Sequence, residues 1–158
     1  MGLDTTHGAW HGAYSSFMSW RIKIAQVAGF PPLELMEGFY SKDESLLSIN
    51  PFTLLKHDYP KGDELSMAAL RRIMTRLPIK WDLFTSHPLY ILLSHSDCDG
   101  DINYGACKKI ADELEKLLPI LKEEPEVGGH IGNYYDKTKT FIDGCRLAYS
   151  KKEKLQFQ

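Results

Sequence analysis

Between Tyr104 and Leu121 the apolar residues return every three or four positions. Ile110, Leu114, Leu117, Leu118 and Leu121 form one stripe, and Asp112, Glu113, Glu115 and Lys116 form the opposite, wet face. A helix with such a stripe is stable only if another element covers it. This pattern constrains the chain more than any other feature. It predicts a helix from about Tyr104 to Leu118, which Pro119 then bends or stops. A second long helix is predicted from about Tyr134 to Tyr149, burying Thr138, Phe141, Ile142, Cys145 and Ala148. A third starts near Ser15 or Ser16, either of which can cap it, and carries Phe17, Trp20, Ile24 and Val27 on one face. Gly29 and Pro31-Pro32 end it. A fourth spans about Ser66–Leu77, with Met67, Leu70, Met74 and Leu77 inward and Arg71, Arg72 and Arg76 outward.

The remaining segments are less periodic. Residues 30–64 contain Pro31, Pro32, Gly38, Pro51, Pro60 and Gly62, and read as a long irregular excursion with a short helix near Ser45–Ile49. Residues 88–93 are a short apolar run that fits either a buried strand or a short helix. Residues 125–132 are a turn-rich connection. Residues 2–6 and 154–158 are short and β-prone, and have no other partner. The expected fold is therefore α+β: about four helices packed with a small sheet that includes the two chain ends. At 158 residues the whole chain, 1–158, fits one globular domain.

Composition excludes several function classes. The net charge is −2, with 8 acids against 9 bases in residues 1–80 and 13 against 10 in residues 81–158. Neither half looks like a nucleic-acid surface. No apolar run reaches the roughly 20 residues of a membrane helix, and the start lacks a signal peptide's basic and apolar regions. Its Gly2 fits a loose myristoylation pattern without a second anchor. Cys98, Cys107 and Cys145 are odd in number and at no metal-finger spacing, so they read as reduced thiols of a cytoplasmic protein.

Two stretches concentrate chemistry. In the first, His7, Trp10, His11 and Tyr14 lie in a glycine-relieved loop before a helix N-terminus, with Arg21 two turns into that helix. Free amides there suit a phosphate or carboxylate, and the aromatics suit a base or ring. The opposing reading puts Trp10, Phe17 and Trp20 in the core. In the second, residues 94–101, His95, Asp97 and Asp99 precede Asp101, and the alternating acids resemble the start of a calcium loop. Ile102 and Lys108 stand where that loop needs glycine and glutamate, so no metal is assigned. The plainer reading is an acidic turn capping the next helix, with Asp97 and Asp99 bonded to backbone amides. His57, His87 and His130 read as surface residues. No phosphate loop, dinucleotide fingerprint or serine elbow is present.

The opening Met-Gly-Leu-Asp-Thr-Thr-His-Gly-Ala-Trp-His-Gly-Ala-Tyr and the central His-Ser-Asp-Cys-Asp-Gly, with Phe141-Ile142-Asp143-Gly144 near the end, resemble a family of short, uncharacterised proteins of bacteriophages and bacteria. The resemblance implies a phage-related, cytoplasmic protein and brings no activity with it. The leading expectation is a small-molecule-binding protein without cofactor, its site where the two stretches meet: His7, Trp10, His11, Tyr14, Arg21, His95, Asp97 and Asp99. A nucleotide-derived host-defence signal, sequestered in an anti-defence role, is the ligand class that a phage origin suggests. One alternative is a metal-dependent phosphoester hydrolase using His95, Asp97 and Asp99. Another is a host-protein interaction module built on residues 30–64. Neither nucleic acid nor membrane is an expected partner, and self-association stays open.

Overall fold

The computed structural model describes residues 2–39, 71–72, 77–123 and 133–158. It is an α+β fold with strands at both chain ends. Among the described residues, four complete α-helices follow one another: α1 (Tyr14–Val27), α2 (Tyr90–Ser94), α3 (Tyr104–Lys122) and α4 (Tyr134–Lys151). The strands are β1 (Gly2–Asp4), β2 (His11–Ala13), β3 (Gly100–Ile102) and β4 (Leu155–Phe157).

The stripe on α3 buries Ile110, Leu114, Leu117 and Leu121 against α4, which contributes Phe141, Ile142, Cys145 and Ala148. Pro119 does not stop α3, which runs on to Lys122. Its N-cap is Asn103, whose side chain accepts from the Ala106 amide at 2.8 Å. The acidic residues 97–99 therefore do not cap it, and β3 lies between them and the helix. The Cys98 amide is met by Ser96 Oγ at 3.3 Å.

In α1 the buried positions Phe17, Trp20, Arg21, Ile24 and Ala25 follow the helical period. The helix starts one residue before the serines, after Ala13, and neither Ser15 nor Ser16 provides a side-chain cap. Its end is a glycine-terminated turn: Phe30 N donates to Ala25 O at 2.9 Å while Gly29 takes φ +84°. Trp10, Phe17 and Trp20 stack with ring centroids 5.0–5.7 Å apart, and Phe141 and Phe157 join from the far end of the chain. Trp20 Nε1 donates to Thr138 Oγ1 at 2.9 Å, which pins α1 to α4 inside the core.

The chain ends meet, but they lie in two small antiparallel sheets where one was expected. β1 pairs antiparallel with β2, and β3 with β4. A bridge between Thr5 and Phe157 joins the two ribbons, with Asp4 and Gln158 exchanging backbone bonds of 3.1 and 2.8 Å. The N-terminal strand stops at Asp4, and the expected loop over residues 7–14 contains β2. The apolar run at 88–93 resolves as the short helix α2. Arg71 and Arg72 are helical, but Leu77, expected inward, is 46% exposed. The expected helix near Ser45–Ile49, the connection 125–132, His57, His130 and the rest of the 66–77 helix lie outside the described residues.

The first turn and the last helix touch backbone to backbone. A Cβ on Gly144 of α4 would stand 2.5 Å from Ala9 Cα and 2.7 Å from Ala9 N. Only glycine lets the 6–9 turn lie directly on the helix.

Candidate functional site

The turn after β1 is a single 3-10 turn, Thr6–Gly8. His7 sits there at φ 62°, ψ 12°, the left-handed region that a non-glycine residue enters at a cost. At the other end of the chain, α4 finishes with Lys152 at φ 56°, and Glu153 N returns to Ala148 O at 3.0 Å. These two left-handed residues turn two segments toward each other. His7 Nε2 lies 2.7 Å from Glu153 Oε2, and His7 Nδ1 lies 2.9 Å from Thr6 Oγ1. The His7 side chain is only 8% exposed, and that of Glu153 57%. Thr6 Oγ1 also accepts from Gln156 N at 2.9 Å.

Beside this chain of bonds lies an open hollow of about 560 Å³, lined by Thr6, His7, Leu147, Lys151, Glu153, Lys154 and Gln156. Its volume falls within the ~300–1,000 Å³ typical of small-molecule sites. Leu147 supplies an apolar surface, and the other residues supply a hydroxyl, an imidazole, a carboxylate, an amide and two ammonium groups. Lys154 Nζ is 3.2 Å from Asp101 Oδ2.

The second polar centre is built around Arg21, whose side chain is fully buried. Its Nη1 donates to the His95 carbonyl at 2.5 Å and its Nη2 faces Met18 Sδ at 3.7 Å. Phe17 and Phe39 lie against its guanidinium at 4.7 and 5.2 Å, and Nε has no hydrogen-bond partner among the described residues. Burial pushes this guanidinium down to about 10, and the negative charge of Asp97 opposes the shift. The His95 ring stacks on Phe157 at 4.3 Å. Its Nδ1 faces Ser96 O at 2.7 Å and its Nε2 faces Asp101 O at 3.3 Å. Gly100, at φ +101°, leaves room for that ring, since a Cβ there would stand 3.2 Å from it.

The eight residues expected to share a site thus occupy distinct settings. Arg21, His95 and Asp97 are brought together. His7 lines the hollow. Trp10 is a core residue, its Nε1 without a partner among the described residues and Lys137 Nζ 4.8 Å from its ring. Tyr14 packs against the core's edge. The His11 side chain is 90% exposed and bonds Asp4. Asp99 is exposed beside Cys98, its Oδ1 3.8 Å from Sγ. Among the described residues no three His, Cys, Asp or Glu side chains converge to hold a metal ion.

His87 is not the surface residue expected. It packs edge-on against Phe30 at 4.7 Å, and its Nδ1 accepts from the Leu89 amide at 3.1 Å. Burial lowers its pKa. Sequence reasoning missed Thr6, Glu153, Lys151 and Lys154 as site residues. The one local signal was a threonine beside a histidine and a glycine in a turn. Glu153 lies 146 positions from its partner, and no spacing rule spans that distance.

No family model matches the chain, and no solved structure matches it. A stretch of 88 residues, 55% of the chain, is 31% identical to the membrane-bound lytic murein transglycosylase F of Yersinia pestis (strain Pestoides F) and of Yersinia pseudotuberculosis serotype I (strain IP32953). The same protein of Yersinia enterocolitica serotype O:8 matches over 90 residues at 31% identity. The chain spans 18% of the length of these relatives. No helix among the described residues is long and apolar enough to cross a membrane.

Proposed function

We propose that this protein binds a small anionic, hydroxyl-bearing molecule in the hollow between the Thr6–Gly8 turn and the end of α4. The observation that supports this is the convergence of Lys151, Lys154, His7, Thr6 and Gln156 around one space of ligand size. Ammonium groups match an anion's charge, while the imidazole, hydroxyl and amide read hydroxyls or ring edges. A nucleotide-derived signal has both features. Its sequestration in the cytoplasm of an infected cell is the biological role that the phage resemblance suggests.

The likeness to a murein transglycosylase favours a second reading, in which the ligand is a murein fragment. Calorimetric titration with ATP and with a soluble muropeptide separates the two. Saturable ATP binding, weakened at least about tenfold by Lys151→Glu or Lys154→Glu, is the expected result; losing one ion pair with a bound anion costs about 1.4 kcal/mol or more. Muropeptide binding alone would favour the second reading, and binding of neither would end both.

A further inference from the structure

We propose that Thr6, His7 and Glu153 form a hydroxyl–imidazole–carboxylate relay that makes Thr6 a nucleophile toward carboxylic esters held in the same hollow. The inference rests on that hollow being a ligand site, and adds chemistry to it. Its basis is the order of the hydrogen bonds. Glu153 is an acceptor when ionised, so the imidazole nitrogen 2.7 Å from it, Nε2, carries the ring proton. Nδ1 is then the unprotonated nitrogen, and it faces Thr6 Oγ1 at 2.9 Å. The Gln156 amide already fills one lone pair of Oγ1 at 2.9 Å. The alternative acceptor for the hydroxyl proton, Lys154 O, is farther away at 3.4 Å. The proton therefore points at a base whose far side is held by a carboxylate. Nucleophile, base and orienting group within hydrogen-bond reach of one another are the signature of an activated hydroxyl.

The surroundings suit that task. The His7 ring is nearly enclosed, which fixes its orientation, while Thr6 and Glu153 reach the hollow. The left-handed backbone of His7 folds its ring back onto the neighbouring residue, the kind of strain that persists only where the surrounding structure enforces it. Lys151 and Lys154 bring positive charge to the space where an ester oxygen would gain negative charge. In the step itself, Oγ1 bonds to the acyl carbon and its proton passes to Nδ1. The acyl carbon–oxygen bond breaks, and the departing alcohol takes the proton from Nδ1. Water then repeats the sequence on the acyl-Thr6 ester, releasing a carboxylic acid and restoring the hydroxyl. Thr6 and His7 are the catalytic residues; Glu153 is a positioning residue.

The test uses the full chain with p-nitrophenyl acetate near neutral pH, following p-nitrophenolate release and locating the acetyl group by peptide mass spectrometry after acid quench. Wild type is expected to turn over the ester and to carry acetyl on Thr6. Thr6→Ala lowers the rate about a hundredfold or more, and Thr6→Ser, which retains the hydroxyl, restores it. Glu153→Gln lowers kcat with KM held, and Glu153→Asp recovers part of the loss. Hydrolysis no faster than free imidazole overturns the proposal. So does acetyl found on His7 or Lys151 and not on Thr6, or a folded Thr6→Ala that keeps the wild-type rate. If Thr6→Ala does not fold, the position of the acetyl group in wild type decides. ATP binding without acetylation of Thr6 rejects the relay alone; acetylation of Thr6 without ATP binding rejects the anion reading alone.

Discussion

Two polar centres flank Phe157, and they use the same kinds of residue in opposite ways. Around Arg21, a cation is sealed among Phe17, Phe39 and Met18, and its bond goes to a backbone carbonyl of the 94–101 loop. Around His7, an imidazole is held by two side chains whose other faces open onto a hollow. The first arrangement ties elements together and leaves little for a ligand to touch. The second gives up backbone ease at His7 and Lys152 and gains exposed chemistry. The difference shows that a cluster of chemically capable residues becomes a site only when the backbone leaves one side of it open.

The sharpest way to break this contrast is at Arg21. Arg21→Ala leaves the His95 carbonyl without its donor and opens a cavity among three apolar side chains. It should cost about 3 kcal/mol or more, read by urea unfolding. Anion binding in the hollow should survive wherever the variant is folded. Arg21→Met should cost less, because it fills the space without an enclosed charge. The pH dependence has a definite sign. The folded pKa, about 10, lies below that of a guanidinium in the unfolded chain, so the unfolded state binds more protons in the window above that value. The penalty for burying the cation is full below about 10 and shrinks as pH rises above it. The stability gap between wild type and Arg21→Met should shift in favour of wild type across that window. An unchanged gap would mean that the guanidinium is not desolvated as described.

Gly144 probes the other centre. Glycine-to-alanine inside a helix normally gains about 1 kcal/mol. Here the added methyl meets the Ala9 backbone, so Gly144→Ala should instead lose about 2 kcal/mol. The 6–9 turn should lift from α4, and the His7–Glu153 bond and hollow binding should be lost with it. A gain in stability would show that the turn does not rest on α4.

These two positions also mark where the sequence was legible and where it was not. The stripes of α1, α3 and α4 were readable because burial on a helix repeats every 3.6 residues and needs no knowledge of the partner. The β character of both ends was readable from their composition and lack of other partners. Three-residue strands such as β2 and β3 carry too few residues for alternation to show. The left-handed conformations of His7 and Lys152 were invisible, since each is imposed by distant packing and opposes the residue's own preference. Glu153 could not be found at all without the fold. Gly144 ends the Phe141-Ile142-Asp143-Gly144 stretch, yet its packing against Ala9 only appears once α4 and the first turn are in contact.

His7→Gly separates strain from chemistry at the hollow. Glycine takes φ 62° without penalty, which returns about 1 kcal/mol. Losing the bond to the Glu153 carboxylate removes about as much or slightly more. Thermal melting should therefore move by only a few degrees, while ester turnover falls by about a hundredfold or more. A large loss of stability would instead mark His7 as chiefly a structural latch.

The smallest effect is expected at His11, and it tests the contrast because His11 shares residue type and neighbourhood with His7. Both lie near the start of the chain, both bond a carboxylate, and both were candidates on equal terms. Their surroundings differ: the His11 side chain is 90% exposed and its carboxylate, Asp4, is 60% exposed, whereas that of His7 is 8% exposed. An exposed pair gains little, because water competes for both partners and salt screens what remains. His11 Nδ1 bonds Asp4 across the β1–β2 ribbon, and backbone pairing holds that ribbon independently. Lys137 Nζ reaches the His11 carbonyl at 3.2 Å, a contact that any residue at position 11 preserves. His11→Ala should then change stability by no more than about 0.5 kcal/mol and leave ATP binding and ester turnover at wild-type levels. A loss of binding comparable to that of Lys151→Glu would place His11 in the site after all and dissolve the distinction between an enclosed, oriented histidine and one that merely decorates a ribbon.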